Sequence, residues 1–288
     1  MATISEWISG ARLRTLPAAI APVIVGTSLA SPNPLWVNAL LALLVALALQ
    51  IGVNYSNDYS DGVRGTDTER VGPMRLVGSG KAAAGKVRSV AFFFFFLSGI
   101  FGLALALRTS LWLLVVGAIA IAAAWGYTGG KNPYGYRALG EVSVFIFFGV
   151  VAVVGTYYVQ SAQITLLAVI ASIPVGAQAC AILVLNNLRD RAKDLLVGKQ
   201  TLAVVMGERA TRFFYSALIV GGNIIGILTC ISSPWTAITA LLLPLSFYLS
   251  LSVLKGAGGR DLILLLQRTA LFQLLFALLY AGGFALSA

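Results

Sequence analysis

Apolar runs long enough to cross a bilayer recur about nine times in this 288-residue chain, over roughly 15–31, 36–57, 89–107, 110–128, 140–158, 164–186, 213–231, 235–254 and 269–287. A membrane helix needs about 20 apolar residues, and its backbone amides must pair within the segment because lipid offers no partner. Continuous apolar runs meet that demand as helices. Charged residues make up only 10% of the chain, against about 25% in soluble domains, and the mean hydropathy is +0.90. The expected fold is therefore an all-α polytopic membrane protein, about nine transmembrane helices in one domain over residues 1–288. The short, proline-bearing first window reads as the first span of the bundle and not as a cleavable signal.

Charge sets the orientation. With nine spans, the N-terminus and the loops near 58–88, 129–139, 187–212 and 255–268 share one side, and nineteen of the twenty Lys and Arg fall there, leaving only Arg108 opposite. All ten acidic residues lie on that side too. Excess Lys and Arg mark the cytoplasmic face, so the chain is expected in the cytoplasmic membrane with its long loops inward. The net charge of +10 is then a matter of topology, and no nucleic-acid motif accompanies it.

Chemistry is restricted by what is missing. The sequence has no histidine, which removes the commonest general base and any histidine-held zinc or haem. Cys180 and Cys230 are isolated in apolar stretches, so they support neither a thiolate metal site nor a disulfide. What remains is carboxylates, amides, Tyr, Lys and Arg.

Those groups recur in a pattern. Asn54 precedes Asp58 by four residues, and 132 residues later Asn186 precedes Asp190 by four. In helical conformation Asn54, Asp58 and Asp61 share a face, as do Asn186, Asp190 and Asp194. Each set is followed by a long connection, about 31 residues after the second span and 26 after the sixth, so the chain is expected to be two four-helix halves plus a ninth helix. Glu69 and Glu208 read as ordinary surface carboxylates. The quartet Asp58, Asp61, Asp190 and Asp194 is different, because carboxylates at membrane depth need a compensating partner. Facing sets of amide and carboxylate oxygens suit hard cations, which would in turn hold a strongly anionic ligand. A calcium loop fails because Tyr59 takes a ligand position and no glutamate closes the pattern. Gly126, Gly129 and Gly130 lack the βαβ unit of a dinucleotide site. The Phe92–Phe96 run reads as lipid-facing or packing surface. A cation-coupled transporter also accommodates paired carboxylates, but here the acids gather at one mouth only.

Both motifs resemble those of the intramembrane aromatic prenyltransferases of the UbiA type, which carry two Asp-rich segments on a nine-helix bundle. The similarity extends to the branch that prenylates 1,4-dihydroxy-2-naphthoate on the way to menaquinone. It rests on Asn57-Asp58-Tyr59-x-Asp61-x-x-x-Gly65-x-Asp67, Arg12-x-x-Thr15-Leu16-Pro17, Leu76-Val77-Gly78-Ser79-Gly80, Tyr127-Thr128-Gly129-Gly130, Pro133-Tyr134-Gly135-Tyr136 and Asn186-Asn187-Leu188-Arg189-Asp190. Many relatives place an acid where this chain has Gly65, and Asp67 follows instead, a shift that the naphthoate branch shares.

The resemblance implies transfer of a polyprenyl chain from its diphosphate to 1,4-dihydroxy-2-naphthoate, with loss of diphosphate and CO₂, giving demethylmenaquinone. Hydroxybenzoate or homogentisate would be alternative acceptors. It also implies two Mg²⁺ ions on Asp58, Asp61, Asp190 and Asp194, since Mg²⁺ binds through one or two carboxylates plus phosphate oxygens. Lys131 and Lys199, with Arg64 or Arg70, are candidate donors to the diphosphate. Tyr127, four residues before Lys131 and on its face if helical, is the candidate to stabilise an allylic cation. Arg12 is the candidate for the acceptor carboxylate and Asn186 or Asn187 for its hydroxyls. Asn54, Asn57, Asp67 and Arg189 complete the expected substrate-binding set.

Overall fold

The computed structural model describes residues 2–65 and 74–288, so Asp67 and Arg70 lie outside the described residues. Ten helical segments follow in order: α1 Ile4–Gly10, α2 Pro17–Ser28, α3 Trp36–Val63, α4 Ala84–Arg108, α5 Leu113–Gly126, α6 Gly140–Ser161, α7 Leu166–Leu196, α8 Leu202–Ile231, α9 Pro234–Leu254 and α10 Gly259–Ser287. Among the described residues the only β pairing is a single bridge between Arg137 and Gln200.

The nine expected spans map onto these helices unequally. Seven of the helices are long and apolar enough to cross a membrane, or eight if α1 and α2, bent by 49°, count as one span. The remaining apolar segment, α5, has 14 residues, about 21 Å of helix against a hydrocarbon core of about 30 Å. Among the described residues the count of about nine spans is thus not confirmed. The apolar window runs past both ends of α5, into a turn at 111–112 and the polar bend that begins at Tyr127.

Helix ends also differ from expectation. α3 continues through its acidic motif to Val63 and α7 through its own to Leu196. Each finishes two residues before a glycine with positive φ, Gly65 (71°) and Gly198 (72°), the backbone conformation that a glycine beyond a helix end supplies without strain. The long connection expected after the sixth span is largely structured: only residues 197–201 are non-helical before a short helical stretch at 202–206, and the chain breaks at Gly207 (φ 78°) before α8 runs on. The loop expected at 255–268 shrinks likewise, with α10 starting at Gly259.

α7 is the central strut: 72% of its apolar window is buried inside the protein, against 22% for α3 and α6. Val175, Leu185, Tyr215, Leu249, Phe272 and Phe276 build the main core between α7, α8, α9 and α10. α6 meets α7 so closely that a Cβ on Gly149 would sit 2.7 Å from the Cα of Gly176. α3 lies along α4 on the other side, and the space left between α3, α4, α5, α6 and α7 is not filled by side chains. At the end far from the acidic motifs, Asn38 donates to the Val159 carbonyl (2.5 Å) and Arg108 Nε donates to Asn38 Oδ1 (2.8 Å), tying α3, α4 and α6 together.

Candidate active site

That unfilled space is a cavity of about 1150 Å³. Its body is apolar, with Val45, Leu49, Leu103, Ile121, Phe147 and Phe148 on the wall, and its mouth carries the polar residues of both motifs. Asn54, Asn57 and Asp61 reach it from α3, and Asn186, Asn187, Arg189, Asp190 and Asp194 reach it from α7. Arg12, Tyr127 and Lys199 also line it, as do Arg75 and Lys193, which were not among the expected site residues.

The α1–α2 bend brings Arg12 to the mouth. Arg12 itself has left-handed backbone (φ 53°), and the bend is pinned to α3 by polar side chains. Asn54 Nδ2 donates to the Ala11 carbonyl at 2.9 Å and to Thr15 Oγ1 at 3.1 Å, while Gln50 Nε2 donates to Thr15 Oγ1 at 2.9 Å. Each wall carboxylate faces a cation. Arg75 approaches Asp61 at 3.3 Å, Arg189 grips both oxygens of Asp190 at 2.6 and 2.7 Å, and Lys199 lies 3.6 Å from Asp194. Tyr136 Oη donates to Asp61 at 2.6 Å, and the Arg64 and Lys199 cations lie over its ring at 5.2 and 5.0 Å from the centroid. The backbones of Tyr136 and Ala138 also bond to Gln200, so the loop after α5 bridges the two acidic helix ends.

Three expected site residues are off the wall. Asp58 is buried, and its carboxylate accepts the backbone N–H groups of Leu76 (2.8 Å) and Val77 (3.0 Å). Arg64 donates to the carbonyls of Thr128 and Gly130 and braces that loop. Lys131 is exposed. It does not share a helical face with Tyr127: α5 ends at Gly126, and Gly130 turns the chain with φ 75°. Tyr127 packs edge-on against Tyr134, 5.6 Å between ring centres. Burial pushes both phenols above their ordinary pKa, so they are neutral at pH 7.

Three residues around the site were not expected from the sequence: Lys193, Arg75 and Glu141. Arg75 sits in the connection after α3 and gave no pattern. Glu141, an acid at the very start of an apolar span, did give a signal; it is buried and accepts from Asn187 Nδ2 at 2.9 Å.

An oxygen-rich mouth on an apolar chamber, with carboxylates and cations interleaved, fits an anionic head carrying a hydrocarbon tail. Residues 19–262 match the UbiA prenyltransferase family. The chain belongs to that family. UbiA-type relatives include the 1,4-dihydroxy-2-naphthoate octaprenyltransferases of Mycobacterium tuberculosis, 47% identical over 99% of this chain and 98% of that protein, and of Escherichia coli, 35% identical over 98% and 95%. The fold is also that of solved UbiA homologues. One from Archaeoglobus fulgidus, bound to GPP and Mg²⁺, superposes with a TM-score of 0.72 over 97% of this chain and 99% of that one, at 15% identity. The apo homologue from Aeropyrum pernix K1 gives 0.72 over 93% and 96%, also at 15% identity.

Among the described residues no three His, Cys, Asp or Glu side chains are grouped to hold one ion by themselves. Asp61, Asp190 and Asp194 nevertheless share one wall with the Asn54, Asn57 and Asn186 amides. Hard oxygen donors, one or two carboxylates per ion, are what Mg²⁺ takes when a phosphate supplies the remaining oxygens. The residues present fit the ion together with its anionic ligand.

Proposed function

We propose that the chain transfers a polyprenyl group from its diphosphate to 1,4-dihydroxy-2-naphthoate, releasing diphosphate and CO₂ and giving demethylmenaquinol, the reduced form of demethylmenaquinone. The observation that carries this reading is the placement of three carboxylates at the mouth of one apolar cavity, in a chain 47% identical to a naphthoate octaprenyltransferase over its whole length.

Two Mg²⁺ ions held by Asp61, Asp190 and Asp194 would neutralise diphosphate charge as the allylic C–O bond breaks. Arg75, Arg189, Lys193 and Lys199 supply further donors to the departing diphosphate. Asp58, expected among the ligands, is assigned instead to holding the turn that delivers Arg75. The apolar wall excludes water from the allylic cation, and the neutral Tyr127 ring faces it. Arg12 holds the acceptor carboxylate at the α1–α2 bend. With no histidine in the chain, the electron-rich dihydroxynaphthalene ring supplies its own nucleophilicity.

The chain is an integral membrane protein by its helices. We place it in the cytoplasmic membrane, crossing nine times, with α1–α2 as one bent crossing and α5 as a short one. Both acidic helix ends then face the cytoplasm.

The test is to incubate purified protein with a labelled polyprenyl diphosphate and a panel of aromatic acids. Diphosphate release and prenylated product are expected with 1,4-dihydroxy-2-naphthoate. Preferred turnover of 4-hydroxybenzoate or homogentisate would replace the acceptor, and solute movement without diphosphate release would replace the enzyme reading with a transporter.

A further inference from the structure

Glu141 opens α6 and is 4% exposed, yet it is absent from the cavity wall. Its Oε1 accepts from Asn187 Nδ2 at 2.9 Å, and its Oε2 has no hydrogen-bond partner among the described residues. The Cys180 thiol donates to the Glu141 backbone carbonyl at 3.1 Å, so α7 holds this turn at two points. A first-turn carboxylate is favoured by the helix dipole, but exposure to water would satisfy that preference. Burial behind a wall residue is not explained by it.

Asn187 is the residue to which Glu141 answers. Its amide has a donor end and an acceptor end of nearly the same shape, and an untethered amide can offer either. The carboxylate oxygen facing it accepts, so the nitrogen must point at Glu141. Asn187 lines the cavity, and the polar atom left for the cavity is its Oδ1. Position matters as well. Asn187 lies three residues before Asp190 on α7, about 4.5 Å deeper along the axis, between the carboxylates and the apolar chamber. Tyr127 comes up to the turn that carries Glu141, for its Oη is 3.1 Å from where a Cβ on the neighbouring Gly140 would stand. An aromatic acceptor, not the diphosphate, fits at that level.

We propose that Glu141 is a positioning residue, fixing Asn187 as a hydrogen-bond acceptor that selects an aromatic acceptor with a free hydroxyl at that position. The proposal rests on the prenyl-transfer reading above. A hydroxyl donates to Asn187 Oδ1, whereas a methyl ether at the same ring position cannot. Discrimination therefore comes from the orientation of one amide, set from behind the wall.

The experiment compares wild type, Glu141→Gln, Glu141→Leu and Asn187→Leu as purified full-length proteins, each checked for an unchanged melting temperature. KM for the acceptor, KM for the prenyl diphosphate and the Mg²⁺ half-saturation are measured, with inhibition by the acceptor and by its mono-O-methyl ether. Glu141→Leu should raise the acceptor KM about tenfold, the worth of one directed hydrogen bond, with donor KM and Mg²⁺ dependence unchanged. Glu141→Gln keeps an oxygen that accepts from Asn187 and should stay within about threefold of wild type, since only that contact is at stake. Wild type should prefer the free hydroxyl over the ether, and both Leu variants should lose the preference. The proposal is overturned if Glu141→Gln loses turnover as fully as Glu141→Leu, which would make the carboxylate itself chemical. It is also overturned if Mg²⁺ dependence shifts, or if the ether preference survives in the Leu variants. Should Glu141→Leu fail to fold, Asn187→Leu and Glu141→Gln alone decide through the ether preference, lost in the first and kept in the second. If wild type uses a different hydroxylated acid, the same measurements run with that acid and its ether, so failure of the naphthoate assignment is read separately.

Discussion

Asp58 and Asp61 stand three residues apart on α3, and the pitch of the helix separates their roles. Successive residues turn by about 100°. The wall face of α3 carries Gln50, Val53, Asn54, Asn57 and Asp61, an arc with Asn54 and Asp61 at one edge. Asp58 falls about 40° beyond that edge and meets the Leu76–Val77 backbone instead. On α7 the equivalent arc is centred on the motif, so Asn186, Asp190 and Asp194 all reach the cavity. The Asn-x-x-x-Asp spacing is the same in both motifs, while the next acid follows after three residues on α3 and four on α7; packing of α3 against α2 and α4 decides which side of its arc faces inward. Two outcomes follow. Replacing Asp61, Asp190 or Asp194 by Ala should cut turnover by at least about a thousandfold, since each removes several kcal/mol of charge stabilisation, and EDTA should do the same reversibly. Asp58→Asn leaves one backbone N–H without an acceptor and should cost about 1–3 kcal/mol of stability. Its Mg²⁺ half-saturation should stay that of wild type. Thermal unfolding and a Mg²⁺ titration of activity separate the two classes, and an Asp58→Asn protein with weakened Mg²⁺ dependence would return Asp58 to the ligand set.

Helix existence was legible from hydropathy because lipid-facing and core-facing residues are alike apolar. Helix ends were not, because they leave the membrane as charged segments that read as loops. Leu188–Leu196 carries five charges yet continues α7, with Asp194 buried beneath Lys199. The same extension moves the acidic site off a flexible connection and onto two rigid helix ends. How closely α6 and α7 approach was also hidden, since Gly149 and Gly176 are two glycines among 30. That crossing holds Glu141 against Asn187. A methyl group at Gly149 meets backbone at 2.7 Å, which no rotamer change relieves, so Gly149→Ala should destabilise the protein by about 1–3 kcal/mol. Because α6 must shift, turnover should fall with it. Gly155, further along α6, has nothing within 4 Å of its Cβ position, and Gly155→Ala serves as the control. Equal melting temperatures for the two variants would mean that the crossing tolerates a Cβ.

Across the whole molecule, one end is charged and the other is not. Among the described residues, Arg108 is the only Lys or Arg at the end remote from the acidic motifs, and there it is tied to Asn38. The polar mouth, residues 64–65 and 74–83, the connections 127–139 and 197–201 and the α1–α2 bend gather at the opposite end, while the apolar body of the cavity runs between the helices away from it. A diphosphate enters from water and its tail belongs in hydrocarbon, so a single axial gradient from charge to grease orients the substrate without a dedicated binding domain. The same gradient orients the protein. Lys and Arg are generally retained on the cytoplasmic side, so the proposed topology has Gly80, Lys131 and Gly198 inward and Pro32, Arg108 and Ser233 outward. Single cysteines at these six positions, introduced after Cys180 and Cys230 are changed to Ala, should divide accordingly. An impermeant thiol reagent added to intact cells should label positions 32, 108 and 233 and spare 80, 131 and 198 until the membrane is opened. Labelling of 80 and 198 from opposite sides would break the shared site itself, because Asp61 and Asp194 would then end in different compartments.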